Sequence, residues 1–543
     1  MKLNINKFSI ELSFTKQVVD GLKNFFEKRA VLIIAGVLSI LAISLFIFYY
    51  QNGLGLKYND ARSHLDIGRR VVEGLKPGLA QIGSVWLPLP HLLMVPTIWN
   101  DFFWHSGLSG ALQSMISFVA SGILIYLYLK KLDVGMFGRL FAILIFVANI
   151  NVLYLTATAM TELLLLATMT AGAYYLMLWA KEEKLFDLIK SAFWIMVSTT
   201  VRYDGWFLFM AVAALIAICI FRKKGYKETE GTVILFATLA GFGIALWFLW
   251  NILIFKDPFY FAFGPFSAHT QQQQIYEAGE LFTKGNLYLS IKAYLYALFY
   301  NTYTLVTLVG LFGAVTFWLE KNLKKEVKIA SLALIAPLAF NILALYLGHS
   351  VLFVQGVMGD TWFNVRYGMM LLPAIAIFVG YLVEKYKDIR WVFVGLFALV
   401  AFFAFVNKDA VTIDDALIGS SGKNVVEVSG WLAKNLTNQK GYVLISVASH
   451  DAIIFSSSLP MKRFIHEGTG DYWKLATGNP KEWATWIVMR TNDMNDMAFK
   501  DIKGTDWETA YTLVDHYPFA DIYEIKPEFR KTVQTEPILG RQK

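Results

Sequence analysis

Long apolar runs recur along the chain, separated by short polar segments. They cover residues 30–50, 107–129, 140–156, 163–180, 185–201, 205–221, 231–255, 293–319, 329–348, 367–383 and 391–407. Each is near the roughly 17–25 residues that a helix needs to cross a bilayer core. Backbone polar groups in hydrocarbon must be satisfied within their own segment, so the pattern predicts a polytopic α-helical membrane protein with about 11 spanning helices. The fifth run is the weakest, because it holds Asp187 and Lys190 and its charge-free part is short. Residues 87–99 are apolar but short and proline-broken, which predicts a membrane-skimming helix instead of a span. After residue 407 the pattern changes. Amphipathic spacing over 425–436 predicts a helix, and 442–448, 462–468, 485–491 and 520–527 read as strands. Residues 506–514 continue the alternation, so 408–543 are expected to form a small α/β domain.

Composition agrees with this division. The 543 residues are 56% hydrophobic and 17% charged, whereas soluble domains are about a quarter charged. Residues 408–543 hold 16 Lys+Arg against 18 Asp+Glu. The single cysteine, Cys219, excludes a disulfide framework and a cysteine-based metal site within one chain. Residues 1–29 form a basic leader carrying Lys2, Lys7, Lys16, Lys23, Lys28 and Arg29. The apolar run behind it is too long for a signal-peptide core and has no small-residue cleavage site, so it reads as a retained span. Residues 5–27 fit either an interfacial amphipathic helix or a disordered leader.

Charge sets the orientation. With the N-terminus in the cytoplasm, the inner segments hold 23 Lys+Arg and the longer outer segments, including the loop 51–106, hold 10. This satisfies the positive-inside rule. An odd number of spans then places the C-terminal domain outside, in a multi-pass protein of the cell membrane.

The ionisable residues that stand out share that outer side. The first outer loop contains Asp60, His64 and Asp66, then Arg69 and Arg70, then His91. Asp60 and His64 are four apart and share a helix face, while Asp66 points elsewhere. Glu162 opens the fourth span, Arg202 and Asp204 lie in the VRYDGW turn, and Arg366 and Tyr367 precede the tenth span. Charged groups at a membrane boundary are costly and mark candidate sites. Plainer roles remain open: an Arg202–Asp204 ion pair, a snorkelling Arg366, a capping Asp60, and His91, His269 and His349 as polar contacts. A proton-driven transporter would place carboxylates near mid-span, with broken helices in repeated halves. A transporter or flippase of lipid-linked sugars would need charged residues lining a route across the membrane, whereas here they gather outside. A non-catalytic subunit of an envelope assembly complex is the other alternative.

The order of several motifs resembles the GT-C superfamily of lipid-linked glycosyltransferases, with the protein O-mannosyltransferases and the lipid A aminoarabinose transferases as the most similar families. The motifs are YNDARSHLDIGRRVVEG and LPLPHLL in the first loop, TATAMTELLL, VRYDGW, FKDPFYF and NVRYGMMLLP. Their order is preserved over residues 30–407, the whole membrane part. The chain departs from the family at Asn59-Asp60, where only one carboxylate of an acidic pair remains, and it lacks WWDYG and a first-loop DxD.

The resemblance implies transfer of one sugar from a polyprenyl-phosphate donor to a lipid, glycan or protein hydroxyl on the outer face. Membrane lipid is the expected surroundings, and no nucleic acid is involved. Asp60 and Glu162 are the catalytic candidates, with Asp60 as base. Arg366 and Arg202 are candidates for the donor phosphate, and His64, Asp66, His91, Asp204 and Tyr367 for substrate contacts. No cofactor is implied. Metal dependence is left open, with Asp60 and Glu162 as the ligands if a divalent ion is used. The C-terminal domain is expected to act as a lid or acceptor-docking module, and loop 256–292 is a second candidate for acceptor contact.

Overall fold

The computed structural model describes residues 5–265, 267–420, 422 and 425–537. The first four residues of the basic leader and residues 538–543 lie outside this set. The leader continues helically into the first span as one element, Ile5–Gln51. Among the described residues, seven helices are long and apolar enough to cross a membrane, or up to nine if each of two bent pairs is one span.

All eleven apolar runs fall on helices, and the lower count has identifiable causes. The run at 185–201 forms Leu185–Thr199, only 15 residues long. The runs at 205–221 and 231–255 are joined in one helical stretch, Asp204–Phe255, interrupted at Gly225 with φ 77° and ψ −173°. Phe209 and Phe236 nevertheless stack at 6.2 Å, and Trp206 lies 6.0 Å from Phe248. In a straight helix the first pair would stand roughly 40 Å apart. The stretch is therefore a hairpin that turns where glycine tolerates a left-handed backbone.

Two expected spans are bent. Met136–Val147 and Ile150–Thr156 meet at 68°, and Leu287–Thr302 and Thr304–Leu319 at 103°. The second break falls at Tyr303, whose φ is +63°. A break frees backbone groups that lipid cannot satisfy, and asparagines take up that task. Asn149 caps Ile150–Thr156 by accepting from the Val152 amide. Its Nδ2 donates to the Asn301 carbonyl at 2.7 Å, and Asn151 Nδ2 donates to the same oxygen at 3.2 Å. Asn301 Nδ2 in turn donates to the Val365 carbonyl at 2.6 Å. The two bends thus brace each other directly beside the segment that carries Arg366.

Glu162–Glu182 and Val365–Lys385 are buried on nearly all sides, whereas the first and last spans expose most of their surface. Close approach in the centre relies on small residues. A Cβ at Gly138 would fall 2.6 Å from the Gly380 carbonyl oxygen, and one at Gly380 would fall 2.7 Å from that of Gly138.

The long first loop folds into Asn59–Val72 and the short apolar helix Leu89–Ile98, with Pro96 inside it. The C-terminal part carries a five-stranded sheet. Val443–Ile445 pairs in parallel with Phe464–Ile465 on one side and with Trp486–Met489 on the other. Asp521–Ile525 runs antiparallel to Trp486–Met489, and Tyr511–His516 closes the far edge. Strands, amphipathic helix Val426–Leu436 and the alternation through Tyr511–His516 fall where the sequence pattern puts them. This part sits on the first-loop helix, which is buried from Ala61 to Val71. The Met461 amide donates to Glu73 Oε1 at 3.0 Å, and Gln81 Nε2 donates to the Gly468 carbonyl at 2.8 Å.

Candidate active site

Helix ends on one side of the bundle bring their charges to one point. Arg366 is enclosed, and each nitrogen of its guanidinium faces a different carboxylate. Nε donates to Glu162 Oε1 at 2.9 Å, Nη2 to Asp60 Oδ2 at 2.5 Å, and Nη1 lies 3.8 Å from Asp415 Oδ2. Arg202 shares the same acceptor, with Nη1 at 3.2 Å from Glu162 Oε1 and Nε at 3.3 Å from Asp204 Oδ2. Glu162 begins its helix, where the partial positive charge of the N-terminus favours a carboxylate. Tyr367 lies under both cations, 4.6 Å from Arg202 and 5.3 Å from Arg366, and Tyr58 lies 4.9 Å from Arg366.

Two guanidinium groups thus stand among four carboxylates. Burying an unpaired charge costs several kcal/mol, so each cation holds the anions in place and the anions hold it. Burial opposes the charge on Arg202, but Tyr367, Asp204 and Glu162 outweigh it and drive its pKa upward. The carboxylates differ in access. Asp60 has 35% of its side chain exposed, against 0% for Glu162 and Asp415 and 4% for Asp204. Asp60 is therefore the carboxylate of the cluster that an external molecule can reach, and its Oδ1 bonds to no described residue.

Of the residues singled out from sequence, Asp60, Glu162, Arg202, Asp204, Arg366 and Tyr367 converge. His64 lies on the same helix face as Asp60, and its Nδ1 is 2.9 Å from His91 Nε2. Asp66 does not join them. It is fully buried, faces Arg62, Arg70 and Asp451 of the C-terminal part, and burial followed by Asp451 pushes its carboxyl well above the ordinary range. The Arg202–Asp204 ion pair is present, and Arg366 is enclosed instead of snorkelling to the interface. The N-cap of Asn59–Val72 is Tyr58, so Asp60 is in the first turn and not at the cap. In loop 256–292, Gln272 donates to the His349 carbonyl and Gln274 to Asn495, away from the cluster.

Asp415 and Tyr58 escaped the sequence reading. Tyr58 Oη donates to the Thr412 carbonyl at 2.7 Å and to Asp415 Oδ2 at 3.3 Å. The amide and hydroxyl of Thr412 both donate to Asn151 Oδ1, at 3.0 and 2.8 Å. The helix Val411–Leu417, which follows the last span, is in this way fastened to the bend at Asn149 and to the site. The doublet Asp414-Asp415 just beyond the last apolar run was the available signal. Among the described residues no three His, Cys, Asp or Glu side chains are grouped to hold a metal ion. Asp60 and Glu162 each turn one oxygen to Arg366, while Asp60 Oδ1 and the enclosed Glu162 Oε2 bond to no described residue.

Bent and buried central spans, a helical first loop and a charge cluster under a small α/β domain define a polytopic membrane protein. The fold is shared with the ArnT protein of Cupriavidus metallidurans, crystallised bound to undecaprenyl phosphate. That match has a TM-score of 0.53 and 11% identity, and covers 90% of this chain and 98% of the other. An oligosaccharyltransferase of Archaeoglobus fulgidus, in complex with zinc and sulfate, aligns with a TM-score of 0.48 and 11% identity over 84% of this chain and 67% of its own. At this identity the ArnT likeness is one of fold. No family model and no curated protein matches the sequence.

Proposed function

We propose that the protein is a membrane glycosyltransferase that moves one sugar from a polyprenyl-phosphate donor to a hydroxyl on a lipid, glycan or protein at the outer face. The observation that carries this reading is the cluster itself. A guanidinium pair suited to a phosphate stands beside one carboxylate open to an incoming acceptor. Arginine forks match phosphate oxygens, and the open carboxylate is within reach of a proton donor.

In the reaction the acceptor oxygen attacks the anomeric carbon while the bond from that carbon to the phosphate oxygen breaks. Asp60 takes the acceptor proton. The polyprenyl phosphate leaves with the bonding electrons, and Arg366 and Arg202 stabilise the charge that develops on it. Glu162, closed to solvent and bonded to both arginines, positions them. The donor tail follows apolar surface between spans, and the groove lined by Phe141, Ile145, Val306, Val309, Phe397 and Val400 supports that course. Outer-face orientation is supported by the Lys+Arg bias of the loops.

The test is mass spectrometry of envelope lipids, glycans and proteins from a strain lacking the chain. The expected result is loss of one sugar increment from one species, accumulation of the lipid-linked donor, and recovery with the wild-type chain. An unchanged profile would remove the proposal.

A further inference from the structure

His64 follows Asp60 by one helical turn, so both side chains leave Asn59–Val72 on one face. Both it and His91 are buried, and the His64 ring lies 4.3 Å from the indole of Trp86. Its Nδ1 is taken up by His91 Nε2 at 2.9 Å. Its Nε2 bonds to no described residue and is not among the enclosed unpartnered atoms. That nitrogen is therefore not sealed, and the charges of Arg202 and Arg366 act on the ring.

The neighbours decide which nitrogens carry protons. Burial, with Arg202 and Arg366 adding to it, pushes His64 down to about 3, and burial followed by His64 and Arg70 takes His91 well below its ordinary value. Both rings are neutral at pH 7, and a neutral imidazole has one N–H and one lone pair. His91 Nδ1 is sealed from solvent and outside ideal bonding geometry. The Leu87 carbonyl is the backbone acceptor acting on that ring, and a carbonyl oxygen attracts an N–H and repels a lone pair. With the proton of His91 on Nδ1, its Nε2 is an acceptor and His64 donates to it from Nδ1. His64 Nε2 is left with the lone pair. Such an atom repels a phosphate oxygen and binds a hydroxyl.

We propose that His64 Nε2 accepts a hydrogen bond from a substrate hydroxyl, and that His91 is a positioning residue that fixes the tautomer required for it. This rests on the glycosyl-transfer reading of the site. The hydroxyl belongs to the donor sugar or to the acceptor, and both share this chemistry.

Two amides separate a substrate contact from a packing role. His64→Gln places an amide near the Nε2 position and gives up the link to His91. His64→Asn keeps an amide near the Nδ1 position and the link, but leaves the Nε2 position empty. Each is expressed in the deletion strain at matched membrane abundance, and the product is quantified by mass spectrometry. The Gln variant is expected to exceed the Asn variant by at least about tenfold, the worth of one substrate hydrogen bond. Equal activities, or Asn ahead of Gln, would overturn the proposal. Failure of the wild-type chain to restore product would instead remove the glycosyl-transfer reading.

A second readout does not depend on activity. In ¹⁵N-histidine spectra of the full chain in lipid nanodiscs, His64 is expected to keep a protonated Nδ1 and a bare Nε2 at about pH 6. An imidazolium or a protonated Nε2 would overturn the assignment. Binding of the lipid-linked sugar extracted from the deletion strain, compared with bare polyprenyl phosphate, identifies the hydroxyl. Weaker binding of the sugar-bearing lipid alone to His64→Asn supports a donor hydroxyl. An unchanged ratio together with the Gln-over-Asn order supports an acceptor hydroxyl.

Discussion

Glu162 and Glu467 both place a carboxylate at the start of a helix, one in the membrane part and one in the C-terminal part. Glu467 reaches across from a separate segment. Its Oε1 accepts from Ser446 Oγ at 2.5 Å and from the Ala448 amide at 3.1 Å, and its Oε2 accepts from the Val447 amide at 2.9 Å. This is the carboxyl end of Val443–Ile445, the position where α/β sheets usually take ligands. The protein's own side chain fills it. His450 and Asp496, paired at 2.5 Å, are likewise fully enclosed. Glu162 instead bonds to two arginines, whose remaining contacts include the partly exposed Asp60. The same residue type at the same helical position closes one site and organises an open one. On the proposed function, chemistry belongs to the membrane part, and the C-terminal part packs against its first-loop helix.

That contrast breaks most readily at Arg366. Replacement by alanine leaves Glu162, Asp60 and Asp415 facing one another and removes the proposed hydrogen-bond donor to the leaving phosphate, so transfer is expected to fall by about 10³-fold. Arg366→Lys keeps the charge but not the fork, and should recover only part of the loss. Transfer by membranes at matched protein abundance checks both. Full activity of Arg366→Ala would remove the contrast.

Asp415→Asn should cost less. It removes the most distant of the three anions around Arg366, and a loss of about tenfold corresponds to about 1.4 kcal/mol. The drop should appear as weaker donor binding while the melting temperature stays close to wild type. On the other side of the comparison, Glu467→Gln should leave transfer per folded molecule unchanged. Its expected effect is lower thermal stability, by about 1–2 kcal/mol, as for a lost helix cap. A large fall in turnover without a change in melting would place chemistry in the C-terminal part after all.

The smallest effect concerns Asp66, at the seam between the two parts. The folded state raises its carboxyl pKa, so it favours the neutral form. The stability this contributes is full below about pH 4 and declines as pH rises through the raised value. Asp66→Asn removes the decline. The variant should melt above wild type at about pH 8, and the gap should narrow towards pH 5. A constant gap across that range would contradict the assignment.

Hydropathy made the spans readable because each crossing must satisfy its backbone locally. The clustered charges were readable because Asp60, Glu162, Arg202 and Arg366 stand out against apolar neighbours. The bends were not. Asn149 lies inside an apolar run that reads as one straight span, and Tyr303 gives no sign of its left-handed backbone. The role of these asparagines depends on distant partners, as when Asn149 and Asn151 both bond to the Asn301 carbonyl. Asp415 was hidden for the same reason. Its neighbour Tyr58 lies more than 350 residues earlier in the chain, and only the folded structure brings the two together. The 15-residue helix Leu185–Thr199, weak by length, leads directly into the turn that supplies Arg202 and Asp204.

The central claim is that the open carboxylate beside Arg366 takes the acceptor proton. Asp60→Asn keeps the shape of the side chain and removes its basicity. Transfer measured in membranes of the deletion strain carrying this variant, at wild-type abundance, should fall by at least about 10²-fold. Transfer within about twofold of wild type would contradict the account.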